Sequence, residues 1–517
     1  MTARLRGDAV LRGGGLSHVI ATIFVSIVTL ATPVVAQTVP YESGQRGRYG
    51  SGLGQTDLPS GGTFEPRIDA AIQYVANIEL VADGEPQIDM AGLELAPGFY
   101  ASYSSGSAVM AIDYSLIGRA WEESDYDDVS HRLAANGEWI AVPEWFSLSG
   151  DARYWDGIID PMAGLNYGRL GVFNPSNLEE VATASISPVL QHRFNELEFV
   201  AQYRDGRVWY LDQGKGQPTT SVVENRDSRD QSADVTLDSA GAGSRLSAGI
   251  FYNWQKSEYD ESLLPYEVEM AGISVGFQVL RSVTLVGDYG LETDLQKRVA
   301  DGGLEEAFWN AGLRWTPNER TSAEARYGRY SYGDSYSFSA EHRARQLELR
   351  ASYSERPTVG TQRLSLGEVV PGELPPGIPD IDLGIFNSRP YILRDGRIGA
   401  TVLGSRTKLA MTGFWYERDY LPTQGFLESG YGASVTATRQ LASNLSTDFT
   451  VYYGDFERTT ETETVLEEQN RDTQAILRFS RQSGAKLTLT AESGYLMRSG
   501  DADYDGWWVA MRARWTP

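Results

Sequence analysis

The sequence contains no cysteine and only four histidines among 517 residues. A secreted fold without disulfides must draw its stability from burial and backbone pairing alone. His131, His192 and His342 lie far apart in the sequence, and none has metal-ligand spacing or a thiol partner. Each of them fits an ordinary strand or turn position better than a ligand position. The sequence therefore predicts neither a metal site nor a cofactor.

Long hydrophobic runs are also missing from residue 37 onward, where no segment approaches the roughly 20 apolar residues of a membrane-spanning helix. A membrane location would then require a β-barrel, the other structure that satisfies every backbone group internally. The first residues differ, because a basic start precedes a short apolar core at 19–30 and a small-residue cleavage pattern at 34–36. We predict that residues 1–36 are a secretory signal peptide. Residues 37–62, rich in glycine and serine, are predicted to be a flexible periplasmic leader.

Motifs for catalysis are scarce. No glycine-rich phosphate loop ends in Gly-Lys-Ser or Gly-Lys-Thr. One Gly-x-Ser-x-Gly match, at 272–276, lies inside an alternating segment, whereas a nucleophile elbow needs a sharp strand-to-helix turn. Adjacent acids such as Glu305 and Glu306 would point to opposite faces of a strand and could not converge as an acid/base couple. The sequence thus predicts that the protein is not an enzyme.

The sequence does contain repeated alternation of apolar and polar residues. In the segment 506–515, Arg512 and Arg514 fall on one face of a strand, because successive side chains point to opposite sides. The other face is apolar and carries an aromatic residue at each end; it consists of Trp507, Val509, Met511, Ala513 and Trp515. Similar alternation occurs at 109–116, 271–279 and 431–438. A strand of this kind near the C-terminus is typical of one that closes a transmembrane β-barrel.

A soluble two-sheet sandwich also alternates, so alternation alone leaves both folds open. Three features favour the barrel. The segments exceed the usual strand length of about 5 to 6 residues. The 28 tyrosines and 12 tryptophans recur near segment ends. Short turns alternate with long polar loops. We predict an all-β, transmembrane, antiparallel up-and-down barrel over 63–517, with about 22 strands (roughly 18 to 24) and periplasmic termini.

The strand count rests on the turns. Short turns are predicted at 143–145, 195–196, 281–282 and 404–406. Short turns are expected at the periplasmic end of the barrel, which requires an even number of strands between any two of them. This parity also requires a tight turn at His342–Arg345 between a descending and an ascending strand.

The segment 356–390 is the least regular part of the sequence. It contains six prolines, which exclude a central strand. We predict an extracellular loop of about 35 residues, a length that is usually functional or disordered. Two interpretations stay open at this point: a lid that folds over or into the barrel mouth, and a mobile surface loop.

The polar face of the strands is expected to line the lumen. Charges of both signs on opposite walls would set a transverse field and a polar path. Interior charges can equally pair and fill the lumen, and both interpretations remain open. The predicted lumen-lining residues are Asp113, Glu324, Arg326, Arg478, Lys486, Glu492, Arg512 and Arg514.

Three segments, PEWFSLSGDARY at 143–154, HRARQLELRASYSE at 342–355 and the stretch 388–421, carry a resemblance. They resemble a family of outer-membrane barrels associated with the PEP-CTERM/exosortase exopolysaccharide systems of Gram-negative bacteria. The resemblance runs from about Phe64 to the end of the sequence. It implies an outer-membrane location and a role in exopolysaccharide production or export, with no defined active site.

The first functional hypothesis is therefore a passive polar pore for a polysaccharide or another polar solute. The second is a structural or scaffold barrel with a filled lumen and no transport role. Expected partners are outer-membrane lipid, the barrel-assembly machinery, polysaccharide and periplasmic export components. Nucleic acid is not expected, because the formal net charge is −24.

Overall fold

One closed sheet makes up almost all of the computed structural model. The model describes residues 61–82, 84–158, 178–211, 227–239, 245–259, 265–295, 302–365, 389–421, 426–461, 465–501 and 503–517. Within these residues there are 22 antiparallel strands, a 3₁₀ turn at Ser124–Tyr126 and one helix, α1 (Gly360–Ser365). The strands are β1 (Gly61–Ala76), β2 (Met90–Ser104), β3 (Ala108–Trp121), β4 (Asp128–Val142), β5 (Phe146–Ile158), β6 (Leu178–Phe194), β7 (Leu197–Tyr210), β8 (Ser228–Ser239), β9 (Leu246–Tyr259), β10 (Tyr266–Leu280), β11 (Val283–Glu292), β12 (Glu306–Asn318), β13 (Thr321–Tyr330), β14 (Gly333–Arg343), β15 (Leu347–Val359), β16 (Pro390–Leu403), β17 (Thr407–Tyr420), β18 (Phe426–Ala442), β19 (Leu445–Glu461), β20 (Val465–Ser483), β21 (Leu487–Gly500) and β22 (Tyr504–Trp515).

The barrel closes through its first and last strands. Each strand pairs with the next one in sequence, and β1 pairs with β22 from Ile68 opposite Trp515 to Ala76 opposite Trp507. Because β1 and β22 pair with each other, neither of these two strands is left as a free edge over this range. The predicted fold class, the number of strands and the partner of the last strand are confirmed.

The two ends of the barrel differ in the length of their connections. At one end most turns have two or three residues, including the predicted turns at 143–145, 195–196, 281–282 and 404–406. At the other end, connections such as 77–89 and 293–305 are longer. Short turns face the periplasm and long loops the exterior in outer-membrane barrels, which assigns the two ends. The turn predicted at 342–345 lies at 344–346, because His342 still pairs with Thr321 inside the sheet.

Two predicted boundaries need correction. Strand β1 begins at Gly61, inside the segment 37–62 that was expected to be a leader. Strand β15 continues through Pro357 to Val359, inside the predicted loop 356–390. Strand β14 pairs with β15 only as far as Tyr353, so beyond that point β15 is an edge on this side, and a proline is tolerated at an edge. Residues 366–388 of the predicted loop lie outside the described residues.

The outer surface of the barrel is apolar. Large hydrophobic side chains at alternate positions are exposed around it, among them Ile273, Val275, Met411, Val435 and Met511. A continuous exposed apolar surface of this kind would be unstable in water and is expected to face lipid. A closed barrel with such a belt is an outer-membrane protein, as the sequence predicted.

Aromatic residues border the apolar belt at both ends. On the extracellular side, the ring of Trp507 contacts that of Tyr74 with centroids 5.2 Å apart, and Trp309 contacts Tyr327 at 5.6 Å. On the periplasmic side, exposed tryptophans include Trp315 and Trp515. These positions match the interfacial girdles of outer-membrane barrels. Among the described residues, no helix is long and apolar enough to cross a membrane.

Candidate functional site: the barrel lumen

Most of the predicted lumen residues lie on the inner face, and each of these is paired with another inner-face residue on the same strand or one or two strands away. Arg67 of β1 donates from Nη1 to Asp113 of β3 over 2.8 Å. Arg514 donates to Asp69 of β1 over 2.7 Å. Arg512 reaches Glu94 of β2, also at 2.7 Å. The charges around the closing strand are therefore neutralised along the same wall and not across the lumen.

Glu324 and Arg326 belong to a second network on β11–β13. Arg326 donates to Glu324 over 2.5 Å and to Asp288 over 2.7 Å, and Arg314 donates to Glu324 over 2.5 Å. Asn310 connects to the same group by donating to Asp288 over 2.9 Å. The structure thus joins two predicted residues with three that the sequence did not single out. In-register pairs such as Arg314 opposite Glu324 become visible only once the strand register is known.

A third network contains Arg478 and Glu492. The guanidinium of Arg478 donates to Glu492 over 2.5 and 2.8 Å, and the indole of Trp508 donates to the other carboxylate oxygen over 3.0 Å. Glu492 is completely buried. A buried carboxylate is tolerated here because charged and neutral donors satisfy both of its oxygens.

The remaining predicted residue, Lys486, needs correction. Strand β20 ends at Ser483 and β21 begins at Leu487, which places Lys486 in the intervening periplasmic turn. Its carbonyl oxygen accepts a hydrogen bond from the backbone of Thr516 over 2.8 Å. The alternating pattern continues through this turn in the sequence, and so the pattern alone placed Lys486 on the strand.

Two buried charge networks were not predicted. Arg498 and Asp472 form two hydrogen bonds of 2.6 Å, and both side chains are 0% exposed. Nearby along the wall, Glu428 accepts from both Arg418 and Arg458 over 3.1 Å. A sequence signal did exist, since all five residues lie on the polar face of their strands. Their pairing across strands could not be read without the register.

Burial along the lumen changes from one end of the barrel to the other. In the extracellular half, inward side chains such as Asp472, Gln474, Trp508 and Asp230 are buried. In the periplasmic half, inward side chains such as Arg350 are exposed. Inward side chains are therefore packed against one another in the extracellular half, whereas some in the periplasmic half, such as Arg350, contact solvent.

Helix α1 contributes to this packing, because all six of its residues are buried. The chain leaves β15 and reaches the wall of β6–β8, seven to nine strands away along the sheet. There Thr361 donates to the buried carboxylate of Asp230 over 3.2 Å. Leu364 packs into an apolar cluster with Val181, Val208 and Tyr210. The described start of the predicted loop, Gly360–Ser365, thus packs against the inner wall of the barrel.

The connection between β1 and β2 forms a second inward contact. Ile78 and Leu80 join an apolar cluster with Trp121, Leu496 and Trp508. Asn77, whose φ is 55°, ties this connection to the wall by donating to the carbonyl of Asp505 over 2.9 Å.

A hydrogen bond also joins this connection to the next extracellular turn. Tyr126 donates to Glu79, which raises the pKa of Tyr126 to about 12 and keeps its phenol protonated at neutral pH. The two extracellular connections are therefore linked to each other.

The residues that the structure describes contain no metal-binding arrangement. No group of three or more His, Cys, Asp or Glu side chains in those ranges could hold a metal ion. Ser274, the centre of the Gly-x-Ser-x-Gly match, lies in the middle of β10 and pairs with Asp288 in the adjacent strand. His131, His192 and His342 lie on three different strands, β4, β6 and β14.

Comparison with known proteins finds similarity of fold only. No protein-family model and no curated protein matches the chain. Among solved structures, the siderophore receptor PirA from Acinetobacter baumannii aligns over 87% of this chain and 80% of its own, with 7% identity and a TM-score of 0.46. A ferric enterobactin receptor mutant of Pseudomonas aeruginosa covers 87% and 80%, with 10% identity and a TM-score of 0.45. The FrpB iron transporter from Neisseria meningitidis covers 88% and 82%, with 10% identity and a TM-score of 0.40.

Proposed function

We propose that this protein is a gated, passive polar pore that serves exopolysaccharide production or export. The observation that carries the proposal is the asymmetry of the lumen. Its periplasmic half exposes charged side chains such as Arg350 to solvent, while segments of the chain itself pack inside its extracellular half. A solute that leaves the cell would enter such a lumen from the periplasm, and the inward segments would control its exit.

The close contact between α1 and strand β7 offers a direct way to test gating. A Cβ at Gly206 of β7 would lie 2.9 Å from the Cβ of Ser365, closer than real side chains allow. We expect Gly206→Val to displace α1 and to raise the single-channel conductance or the open probability in planar bilayers. The matched control is Gly399→Val, because Gly399 is also lumen-facing but a Cβ there would meet only ordinary contacts at 3.9 Å.

If neither the wild-type protein nor the Gly206→Val variant conducts ions, the proposal of a pore is wrong. If both proteins conduct equally, α1 is not a gate. Heat-dependent migration in detergent gels would verify that each variant is folded.

The exopolysaccharide link needs a separate experiment. It rests on the resemblance of segments 143–154, 342–355 and 388–421 to barrels of exopolysaccharide systems. Deleting the gene should reduce the surface polysaccharide, measured as bound coat per cell, and the plasmid-borne gene should restore it. An unchanged coat would overturn this part of the proposal.

A structural barrel with a filled lumen is the second candidate. The fully buried pair Arg498–Asp472 and the apolar cluster around Trp508 favour it, because they pack the extracellular half as a core and not as a channel wall. This candidate predicts no conductance in either the wild-type protein or the Gly206→Val variant. The same recordings therefore separate the two functions.

A further inference from the structure

Three exposed arginines lie close together on the barrel rim, near the periplasmic ends of β16–β20. We name Arg406, Arg439 and Arg481 the arginine cluster. Arg439 on β18 and Arg481 on β20 are two strands apart, which separates their backbones by about 10 Å around the barrel. Arg406 lies in the turn between β16 and β17, where its carbonyl oxygen accepts a hydrogen bond from the backbone of Gln440 over 2.8 Å. The three residues therefore share one short stretch of the periplasmic rim.

The register places the two strand residues of the arginine cluster on the lipid-facing side. Arg439 comes two residues after Ala437, which is opposite the exposed Phe449 of β19. Arg481 comes two residues after Phe479, which is exposed on the same side. Side chains two residues apart share one face of a strand, so both arginines continue the lipid-facing rows towards the periplasm.

Carboxylates that could neutralise the arginine cluster are scarce around it. The segments 400–411, 433–451 and 475–491, which form this part of the barrel, contain one acidic residue, Asp448. Asp448 lies on the inner face, opposite Arg478, and accepts a hydrogen bond from Thr438 over 2.7 Å. Within the described part of the chain, none of the three arginines forms an ion pair. The arginine cluster therefore keeps its positive charge.

Exposed apolar side chains adjoin the arginine cluster on the side away from the periplasm. Phe449, Leu477 and Phe479 are all exposed, and Phe449 is directly opposite Leu477. An apolar surface that ends at charged side chains marks the boundary between the hydrocarbon layer and the lipid headgroups. Arg439 and Arg481 are thus at the level of the headgroups of the periplasmic leaflet.

We propose that the arginine cluster binds a phospholipid with a net negative headgroup in the periplasmic leaflet of the outer membrane. A guanidinium group binds a phosphate through paired, charge-assisted hydrogen bonds. A zwitterionic headgroup also contains a phosphate, but three neighbouring guanidinium groups would repel its ammonium group. The acyl chains of the bound lipid would lie along Phe449, Leu477 and Phe479. This site does not depend on whether the lumen conducts.

Native mass spectrometry of the folded, detergent-solubilised protein tests the site. Phosphatidylglycerol is the anionic probe and phosphatidylcholine the zwitterionic one. We expect the wild type to bind one phosphatidylglycerol about fivefold or more tightly than phosphatidylcholine. In the variant Arg439→Gln/Arg481→Gln, the affinity for phosphatidylglycerol should fall about tenfold, whereas that for phosphatidylcholine should change little. Raising the salt concentration should weaken the binding of phosphatidylglycerol.

The matched control is Arg314→Gln/Lys408→Gln. It also removes two positive charges near the periplasmic end, but Arg314 and Lys408 lie on the inner face, away from lipid. The control should bind phosphatidylglycerol like the wild type. Heat-dependent migration in detergent gels verifies folding, and the single variants Arg439→Gln and Arg481→Gln should each show part of the loss.

Three results would overturn the inference. One is equal affinity of the wild type for the two lipids. Another is unchanged binding of phosphatidylglycerol in Arg439→Gln/Arg481→Gln and in both single variants. The third is an equal loss in the control, because net charge and not the arginine cluster would then set the affinity.

Discussion

At the residue scale, the dominant feature of the lumen is that charges pair with opposite charges on the same or nearby strands of one wall. Asp69 and Arg514 meet although 445 residues separate them in the sequence. The most buried of these pairs, Arg498–Asp472, also lies against an aromatic ring, with the guanidinium carbon 5.4 Å from the centroid of Tyr504. Buried pairs of this kind fix side-chain positions, and losing one partner leaves an uncompensated charge.

The pair Arg498–Asp472 gives a prediction for stability. Arg498→Met should lower the free energy of unfolding by about 3 to 5 kcal/mol, because Asp472 would remain buried and unpaired. The double variant Arg498→Met/Asp472→Leu should recover most of this loss, since neither charge is left. Urea unfolding in lipid vesicles measures both values.

The control for this prediction is Arg314→Met. Arg314 pairs with Glu324 but is 46% exposed, so its loss should cost about 1 kcal/mol or less. Equal losses in Arg314→Met and Arg498→Met would show that burial does not set the strength of the lumen pairs.

At the element scale, strand β22 shows how a local pattern becomes a position in the fold. Its alternation assigns Arg512 and Arg514 to the lumen and Trp507 and Trp515 to lipid, and the structure agrees. Pro357 and Lys486 show the limit of such reasoning. Whether a proline lies at an edge, and where a strand ends, depends on the neighbouring strand.

The chain's lack of cysteine makes a test of the closing pair simple. Ala70 of β1 and Ala513 of β22 are directly opposite each other. Opposed residues in antiparallel strands have Cα atoms about 4.5 to 5.5 Å apart, within disulfide range. The variant Ala70→Cys/Ala513→Cys should therefore form a disulfide under mild oxidation. In denaturing gels without reducing agent, the crosslinked chain should migrate differently from the same chain after reduction.

The variant Ala70→Cys/Ala437→Cys serves as the control. Ala437 lies on β18 and pairs with β17 and β19, so it is not opposite Ala70. This variant should form no intramolecular disulfide. A failure of the Ala70/Ala513 pair to form a disulfide in folded protein would contradict closure in this register.

At the scale of the whole molecule, two radial layers of opposite character define the barrel. The outer layer is apolar and bordered by aromatic girdles, and the inner layer is ionic. Along the axis, the inner layer changes from an accessible periplasmic half to an extracellular half packed by 77–89 and α1.

The radial organisation predicts different costs for the same substitution at neighbouring positions. Phe338 of β14 is exposed on the lipid side, and Ser339 faces the lumen. Phe338→Arg should lower the free energy of unfolding in vesicles by about 2 to 4 kcal/mol, because it places a charge in the bilayer. Ser339→Arg should change it by less than about 1 kcal/mol. Equal costs at both positions would contradict the assignment of faces.

The sequence by itself determined the fold class, the strand count and the face of most residues. These properties follow from a period of two residues along each strand and from the parity of turns, both of which are local. The same alternation is the basis for the predicted lumen-lining residues, and in the sheet Asp113, Glu324, Arg326, Arg478, Glu492, Arg512 and Arg514 share one face.

Only the tertiary structure decided how those residues combine. Which charges pair, which of them are buried and which face each other across the lumen depend on register and closure, which relate residues hundreds of positions apart. The packing of α1 against the wall at Gly206 and Asp230 depends on a complementary surface elsewhere in the chain. No local pattern carries that information, because the alternation of a strand records its two faces but not its neighbours.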